Sequence, residues 1–474
     1  MIRRPPELVA SAPEHWRACC EEQARAGGRF CGLFASRSPE GRQVRAVFVH
    51  PGRDIVVCAP VHAGAIDTLV DLFPAAGQDE REAHDSYGVR FHGHEPLRPL
   101  LEHTATPESW TVPAHGHGPF QVAVGPIHAG VIESGHFRFT VVGERILYLN
   151  LRLFYKHRGL QVAAEGRPLA DGLRYAQRAC AACSVTNSVV YAQACESLLG
   201  LQPDDCLRRA RTLLLELERL YNHLGDISAI CAGVGFAPGT MAFATLKEQA
   251  HRLNRRLSGH RFLFDTVKLG ESALRIDAAR ALAAREELRA LGEQERHLWR
   301  ELTFATSVQD RLTGIGALSR QEALDLGAVG PSARAAGVAH DVRSESPRLH
   351  YEDFQPVTAQ PATGDVLARL QVRQLELEQT FQILDRLLSH ALLPGRASKG
   401  ADDRCATGVS RVESPRGETL CVVDSDGEKL NRLHLRTGSY TNWPVLAHAV
   451  REDLLPDFPV INKSFELCYA CVDR

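Results

Sequence analysis

Two C-x-x-C pairs constrain this sequence more than any other feature: Cys180-Ala-Ala-Cys183 in the middle of the chain and Cys468-Tyr-Ala-Cys471 near its last residue. At this cysteine frequency chance gives roughly 0.35 such motifs, so finding two asks for a reason. If the four thiols act together, the fold must return its final segment to its middle across almost three hundred residues. Buried packing is the plain alternative, because a free cysteine behaves as a small hydrophobe. A tetrahedral zinc site is another, although zinc ribbons keep their pairs about 15–20 residues apart. Four converging thiolates also suit softer transition metals such as nickel and iron. The other cysteines (19, 20, 31, 58, 195, 206, 231, 405 and 421) have no ligand spacing and read as packing thiols.

Composition narrows the setting. A net charge of -2 argues against a chain that holds nucleic acid through bulk charge. No run approaches the roughly 18 apolar residues of a membrane-spanning helix. The opening MIRRPPELVASAPEHW has two arginines but no apolar core behind them, so no export signal is expected. The 13 cysteines are then expected as thiols in a reducing compartment, not as a disulfide framework.

Along the chain, VRAVFVH and DIVVCAP read as strands, and the charged DEREAHDSYGVRFHGHEPLRPLL follows them. TATPESWTVPAHGHGP (104–119) reads as a linker, which places a domain boundary near residue 112. PFQVAVGPIHAGVI and GHFRFTVVGERILYLNLRLF are strand-like. From about residue 170 helical periodicity takes over: Leu213, Leu217, Leu220, Leu224 and Ile227 form one apolar face. Similar patterns recur over 245–268, 277–303 and 363–393, with a glycine-rich loop expected over 313–337 and short strands over 405–461.

RACAACSVTNSVVYAQACE (178–196) resembles the first metal-binding motif of [NiFe]-hydrogenase large subunits, R-x-C-G-x-C-x-x-x-H. SFELCYACVDR (464–474) resembles their second, D-P-C-x-x-C-x-x ending in His or Arg. RTLLLELERLYNHLGDISAICAGVGF, LNRRLSGHRF, TGIGALSRQEALDLGAVGPSARAAGV and PDFPVINKSF are similar to group 4, energy-converting hydrogenases and to their kin, the quinone-site (D-type) component of respiratory complex I. EREAHDSYGVRFHGHEPLRPLL resembles the signature of the C-type component of complex I, so the chain looks like the fused C–D arrangement of formate-hydrogenlyase large subunits. The resemblance covers most of residues 40–474. It implies an α+β fold: a small N-terminal α/β docking domain like the complex I C-type component (1–111), then a large, mainly helical domain like the [NiFe]-hydrogenase large subunit and the complex I D-type component (112–474), with small peripheral β-sheets.

The two branches differ at readable positions. Aligned on Arg178 and Glu196, the tyrosine that meets the quinone in the complex I component falls on Ala181, and Cys180 and Cys183 replace Asp and Ser. The resemblance therefore implies the hydrogenase side: a catalytic large subunit interconverting protons plus electrons and H2 at a Ni-Fe(CN)2CO centre. Cys180, Cys183, Cys468 and Cys471 would bind nickel as thiolates, with Cys183 and Cys471 bridging to iron. Glu133 would relay protons, its alternative being an exposed strand carboxylate. Arg416, in SPRGE, would set a fixed positive charge over the metals, or simply occupy a tight Pro-Gly turn. His128 aligns with a quinone-cavity histidine and reads as a hydrogen-bonded structural residue. Glu218, Arg219, His223 and Asp226 could extend a charge path, although a solvated or paired helix face is the commoner arrangement.

Three departures stand out from the hydrogenase pattern. Ala181 replaces a glycine and could crowd the loop; Asn187 replaces a histidine; Glu466-Leu467 replaces Asp-Pro, so the turn before Cys468 must be built differently. Many hydrogenase large subunits lose a tail just after the position of Arg474, so a tail-free form or a mature product is implied. No cysteine set remains for an iron–sulfur cluster. The resemblance therefore implies a [4Fe-4S] cluster in an iron–sulfur small-subunit partner, membrane subunits in the same complex, and a cytoplasmic position, peripheral on the inner membrane. The alternatives are a complex I-like NADH-quinone oxidoreductase C/D subunit without Ni-Fe, and a metal-free or zinc-clamped scaffold.

Overall fold

The computed structural model describes residues 5–38, 41–104, 106–129, 132–400 and 405–474. Residues 1–4, which open the segment read for an export signal, and 130–131, within the expected strand PFQVAVGPIHAGVI, lie outside the described residues.

The N-terminal part is built on a four-stranded sheet in the order Glu7–Ala10, Arg53–Pro60, Gly41–His50, Arg29–Ser38. Its first pair is parallel and the others antiparallel. The valine-rich runs are its two central strands, as expected. Alternation sends Val44, Ala46 and Phe48 to one face, where they pack with Trp16 of the helix Trp16–Arg25. Val47 and Val49 go to the other face and meet Val409, Leu420 and Val422 of the C-terminal hairpin. A sheet buried on both faces needs a continuous apolar run, which explains the unbroken AVFV.

The charged segment after this sheet is a helix, Ala76–Tyr87, closed by Gly88 at φ +66°. Two of its acidic residues, Asp79 and Glu82, face the larger part of the molecule. Arg436 Nε donates to Asp79 Oδ1 at 3.0 Å, and Arg474 Nη2 to Glu82 Oε1 at 2.6 Å. The expected linker contains a short helix, Pro107–Trp110, and its Trp110 is buried under the Arg152 guanidinium at 5.1 Å. The next strand covers only Phe120–Val124, stopping at Gly125-Pro126, where a backbone donor is lost. The hairpin His136–Val142 and Arg145–Arg152 forms as its alternation predicts.

The larger part is organised around the helix Asp205–Gly233, whose Asp204 cap accepts from Leu207 N at 2.7 Å. The leucine face is buried, but so is the opposite face, because helices Ser184–Leu198, Ala237–Ser258, Val366–Leu387 and Phe458–Phe465 surround it. Glu218, Arg219, His223 and Asp226 are therefore not a solvated face; all four are buried. Buried charges must be paired, and the partners come from distant segments. Arg334 Nη2 donates to Glu376 Oε1 at 2.6 Å and its Nη1 to Glu413 Oε1 at 2.9 Å, while His223 Nε2 bonds Glu376 Oε2 at 2.9 Å.

Two expectations need correction. The stretch 313–337 holds two helices, Arg320–Asp325 and Gly330–Ala335, the first opened by a Ser319/Glu322 capping box. Residues 405–461 are strands only as far as Arg436, in the sheet Thr407–Ser414, Gly417–Ser425, Leu430–Arg436. Helices Gly438–Ala449 and Phe458–Phe465 follow and carry the chain to the second cysteine pair. Among the described residues no helix is long and apolar enough to cross a membrane.

Candidate metal centre

The first cysteine pair sits at the start of the helix Ser184–Leu198, all of whose residues are buried. Cys183 occupies its N-cap position. The first turn is fixed by Glu218, which accepts from Val185 N at 2.7 Å and Thr186 N at 3.0 Å, a carboxylate placed at a helix N-terminus. Burial nevertheless pushes Glu218 up to about 7. One turn along the central helix, Asn222 Nδ2 donates to Ala182 O at 2.8 Å, and Tyr221 Oη donates to the same oxygen at 3.1 Å. The loop between Cys180 and Cys183 is thus held from below.

The second pair follows the left-handed residue Glu466 (φ +48°). Ser439 Oγ accepts from Cys468 N at 3.0 Å, Thr437 Oγ1 donates to Cys471 O at 3.3 Å, and Glu133 Oε2 accepts from Ala470 N at 2.8 Å. These bonds seat the second pair, which lies against the first. Cys180 Sγ lies 3.3 Å from Cys468 Sγ, and the sulfurs of Cys180, Cys183 and Cys471 are all within 4.8 Å of one another. No other set of three or more possible ligands is grouped this way among the described residues. Hydrogen bonds from Cys183, Cys468 and Cys471 hold the Cys180 thiol well below its usual range, while the same contacts raise the other three. An all-sulfur donor set with its negative charge already gathered on one member fits a soft or borderline transition-metal ion.

Cys180, Cys183 and Cys471 are buried, whereas Cys468 opens onto a cleft of about 490 Å³. The cleft is also lined by His128, Glu133, Lys156, Arg416 and Glu466. Arg416 is carried by the turn between strands Thr407–Ser414 and Gly417–Ser425. Its Nη2 donates to Asp226 Oδ1 at 2.9 Å, its Nε to Glu466 O at 3.1 Å and its Nη1 to Asn222 Oδ1. The contact with Cys180 raises the Cys183 thiol, and the nearby guanidinium offsets only part of that rise. Glu133 lies in a loop, not a strand, and is exposed to the cleft. His128 Nε2 donates to Gly135 O at 2.8 Å, a structural bond across its own loop. All four cysteines, Glu133 and Arg416 therefore meet at one place.

Tyr221, Asn222, Thr437 and Ser439 support the site although none was singled out as a site residue in the sequence; Tyr221 and Asn222 lie within the RTLLLELERLYNHLGDISAICAGVGF segment. A signal existed for one of them: Glu218, Asn222 and Asp226 are four residues apart and make a polar stripe on a helix otherwise rich in leucine.

Residues 12–123 match the family of the respiratory-chain NADH dehydrogenase 30 Kd subunit, and residues 233–404 and 396–474 match that of its 49 Kd subunit. Hydrogenase-4 component G of Escherichia coli (strain K12) is 30% identical over 449 residues, covering 89% of this chain and 78% of that protein. The chain belongs to the family of complex I 49 Kd subunits and group 4 hydrogenase large subunits, with a 30 Kd-type domain fused in front. That family is one of oxidoreductases. Formate hydrogenlyase subunit 5 of the same organism is 32% identical over 363 residues, 74% of this chain; the chain spans 63% of that relative's length. The solved structure of the membrane-bound sulfane sulfur reductase, an archaeal respiratory membrane complex, has a chain that matches with a TM-score of 0.68 and 27% identity. The match covers 75% of this chain and 99% of that one.

The three departures from the group 4 hydrogenase pattern have local explanations. Ala181 is exposed and its backbone is not left-handed, so its methyl crowds nothing and no glycine is required. Glu466 takes a left-handed conformation, which a following proline would disfavour; Leu467 permits it. Asn187 is fully buried one helical turn beyond Cys183, and neither its amide nitrogen nor its oxygen has a partner among the described residues. An unsatisfied buried amide on the face that carries Cys183 fits a cage completed by a further group.

Proposed function

We propose that this chain is the catalytic large subunit of a membrane-associated [NiFe]-hydrogenase complex, interconverting protons plus electrons and H2. The observation that carries the reading is the convergence of four thiols from two distant C-x-x-C pairs, with Ala181 where a quinone-binding tyrosine would stand. Cys180, Cys183, Cys468 and Cys471 would hold a Ni-Fe(CN)2CO centre. When bound, such a centre supplies an electron-rich, redox-active site for heterolytic cleavage or formation of H2.

The chain's own residues do the rest. Arg416 keeps a fixed cation beside the thiolates, its orientation locked by Asp226, Asn222 and the Glu466 carbonyl. Glu133 stands on the wall of the cleft that Cys468 lines, anchored through Ala470 N, where it can pass protons between solvent and the thiol side of the cage. Glu133→Gln is expected to lower H2 turnover about a hundredfold, in the range of a lost acid–base group, with nickel content unchanged. Equal loss of nickel would make Glu133 structural instead.

Electrons would come from a [4Fe-4S] cluster in an iron–sulfur small-subunit partner, with membrane subunits completing a complex on the cytoplasmic face of the inner membrane. The division into a docking domain (1–111) and a catalytic domain (112–474) belongs to the same proposal. A quinone-handling C/D subunit is the second reading, favoured by the size of the cleft and by His128 on its wall. Nickel and iron analysis of chain co-produced with maturation factors, with infrared bands of CO and cyanide, separates the two.

A further inference from the structure

We propose that Arg158 is a positioning residue that fixes the separation of the two C-x-x-C segments and so sets how tightly the cage closes on a metal. The inference rests on reading the four thiols as a metal site, but not on the metal being nickel. Arg158 lies in the turn between the strand Arg145–Arg152 and the short helix Leu160–Ala164, outside both halves of the cage. Its Nη1 donates to Arg178 O at 2.9 Å and its Nη2 to Ala179 O at 2.8 Å, the two carbonyls leading into Cys180. The same Nη2 donates to Ala470 O at 3.2 Å, between Cys468 and Cys471. The Arg158 backbone N–H donates to Asp473 O at 3.1 Å, and the neighbouring His157 Nδ1 donates to that oxygen at 3.1 Å.

The halves of the cage are almost three hundred residues apart in sequence, so no short covalent path sets their distance. The bonds from Asn222, Tyr221 and Ser439 tie each half to its own support. Arg158 bonds both halves through one planar group whose donors point in fixed directions, a geometry that lysine cannot reproduce. The side chain is exposed, so its bonds compete with water and add little to global stability. Its contribution lies in preorganised ligand spacing.

The test uses the purified, reduced, metal-free full chain, titrated with Cd²⁺ against a competing chelator and followed by thiolate–cadmium absorption. Arg158→Gln is expected to weaken Cd²⁺ binding at least tenfold with the melting temperature nearly unchanged. Arg158→Lys is expected to weaken it almost as much, and Arg145→Gln, an exposed arginine paired with Glu452, not at all. Wild-type affinity in Arg158→Gln overturns the proposal, as does full rescue by lysine, which would assign the effect to charge alone. If the glutamine variant does not fold, the lysine variant decides by the same criterion. A wild-type chain that binds no Cd²⁺ removes the metal-site reading itself; normal wild-type binding with unaffected variants removes only the role of Arg158.

Discussion

Cys471→Ser is expected to yield a folded chain that retains less than about a tenth of the wild-type nickel and has no measurable H2 turnover. Cys471 is only 1% exposed, and its sulfur lies within the cluster formed with Cys180 and Cys183. Serine keeps the shape of the side chain, so burying its hydroxyl costs about 1–2 kcal/mol, too little to unfold the domain. It removes a soft donor, and an alcohol does not ionise at neutral pH to replace it. The protonation pattern adds a pH signature. Cys183, Cys468 and Cys471 are raised above the ordinary thiol range, so protons compete with the metal for these three sulfurs. Metal affinity of the wild type should therefore rise with pH, and loading should release protons. Elemental analysis, dye reduction under H2 and metal titration across pH read these effects; a serine variant with full nickel would remove Cys471 from the cage.

Arg416→Gln is expected to lower turnover by two to three orders of magnitude while nickel stays bound, the scale of removing one preorganised charge or donor from a reacting centre. Three donor directions of Arg416 are used by Asp226, Asn222 and Glu466 O, which leaves two N–H groups and the charge itself available toward the cleft. Stripping one partner from a buried ion pair is usually severe. Here Asp226 keeps Arg373 Nε at 3.2 Å and His223 Nδ1 at 3.4 Å, so the fold should survive with a loss of about 1–2 kcal/mol. Arg416→Lys retains the charge but not the three-way anchoring, and should recover only part of the rate. A glutamine variant with wild-type turnover and normal nickel would leave Arg416 a turn residue held by its hydrogen bonds.

The site was legible in sequence to the extent that its chemistry is local. C-x-x-C spacing places two thiols on one turn, SPRGE marks the tight turn that carries Arg416, and the leucine periodicity of Asp205–Gly233 marks the central helix. The strands of AVFV and DIVVCAP follow from the same short-range patterns, whereas the fold class came from the family resemblance. The misses are of two kinds. Ser319-Arg-Gln-Glu322 is a capping box hidden in a glycine-rich stretch, a local signal outweighed by composition. The burial of Glu218, Arg219 and His223 is different, because their partners Glu376, Glu413 and Thr186 come from other segments. Helical periodicity reports only that a polar side exists, not whether water or a buried arginine faces it. Arg158 belongs to this second kind: three carbonyls from two distant segments leave no trace in the residues around it.

The most direct measurement is the metal content of this chain, purified from cells that contain the hydrogenase maturation machinery, with its infrared spectrum. One nickel and one iron per chain, with bands of one CO and two cyanides that disappear in Cys471→Ser, is the predicted result. A properly folded chain without nickel and without those bands would contradict it and leave the quinone-handling subunit as the better description.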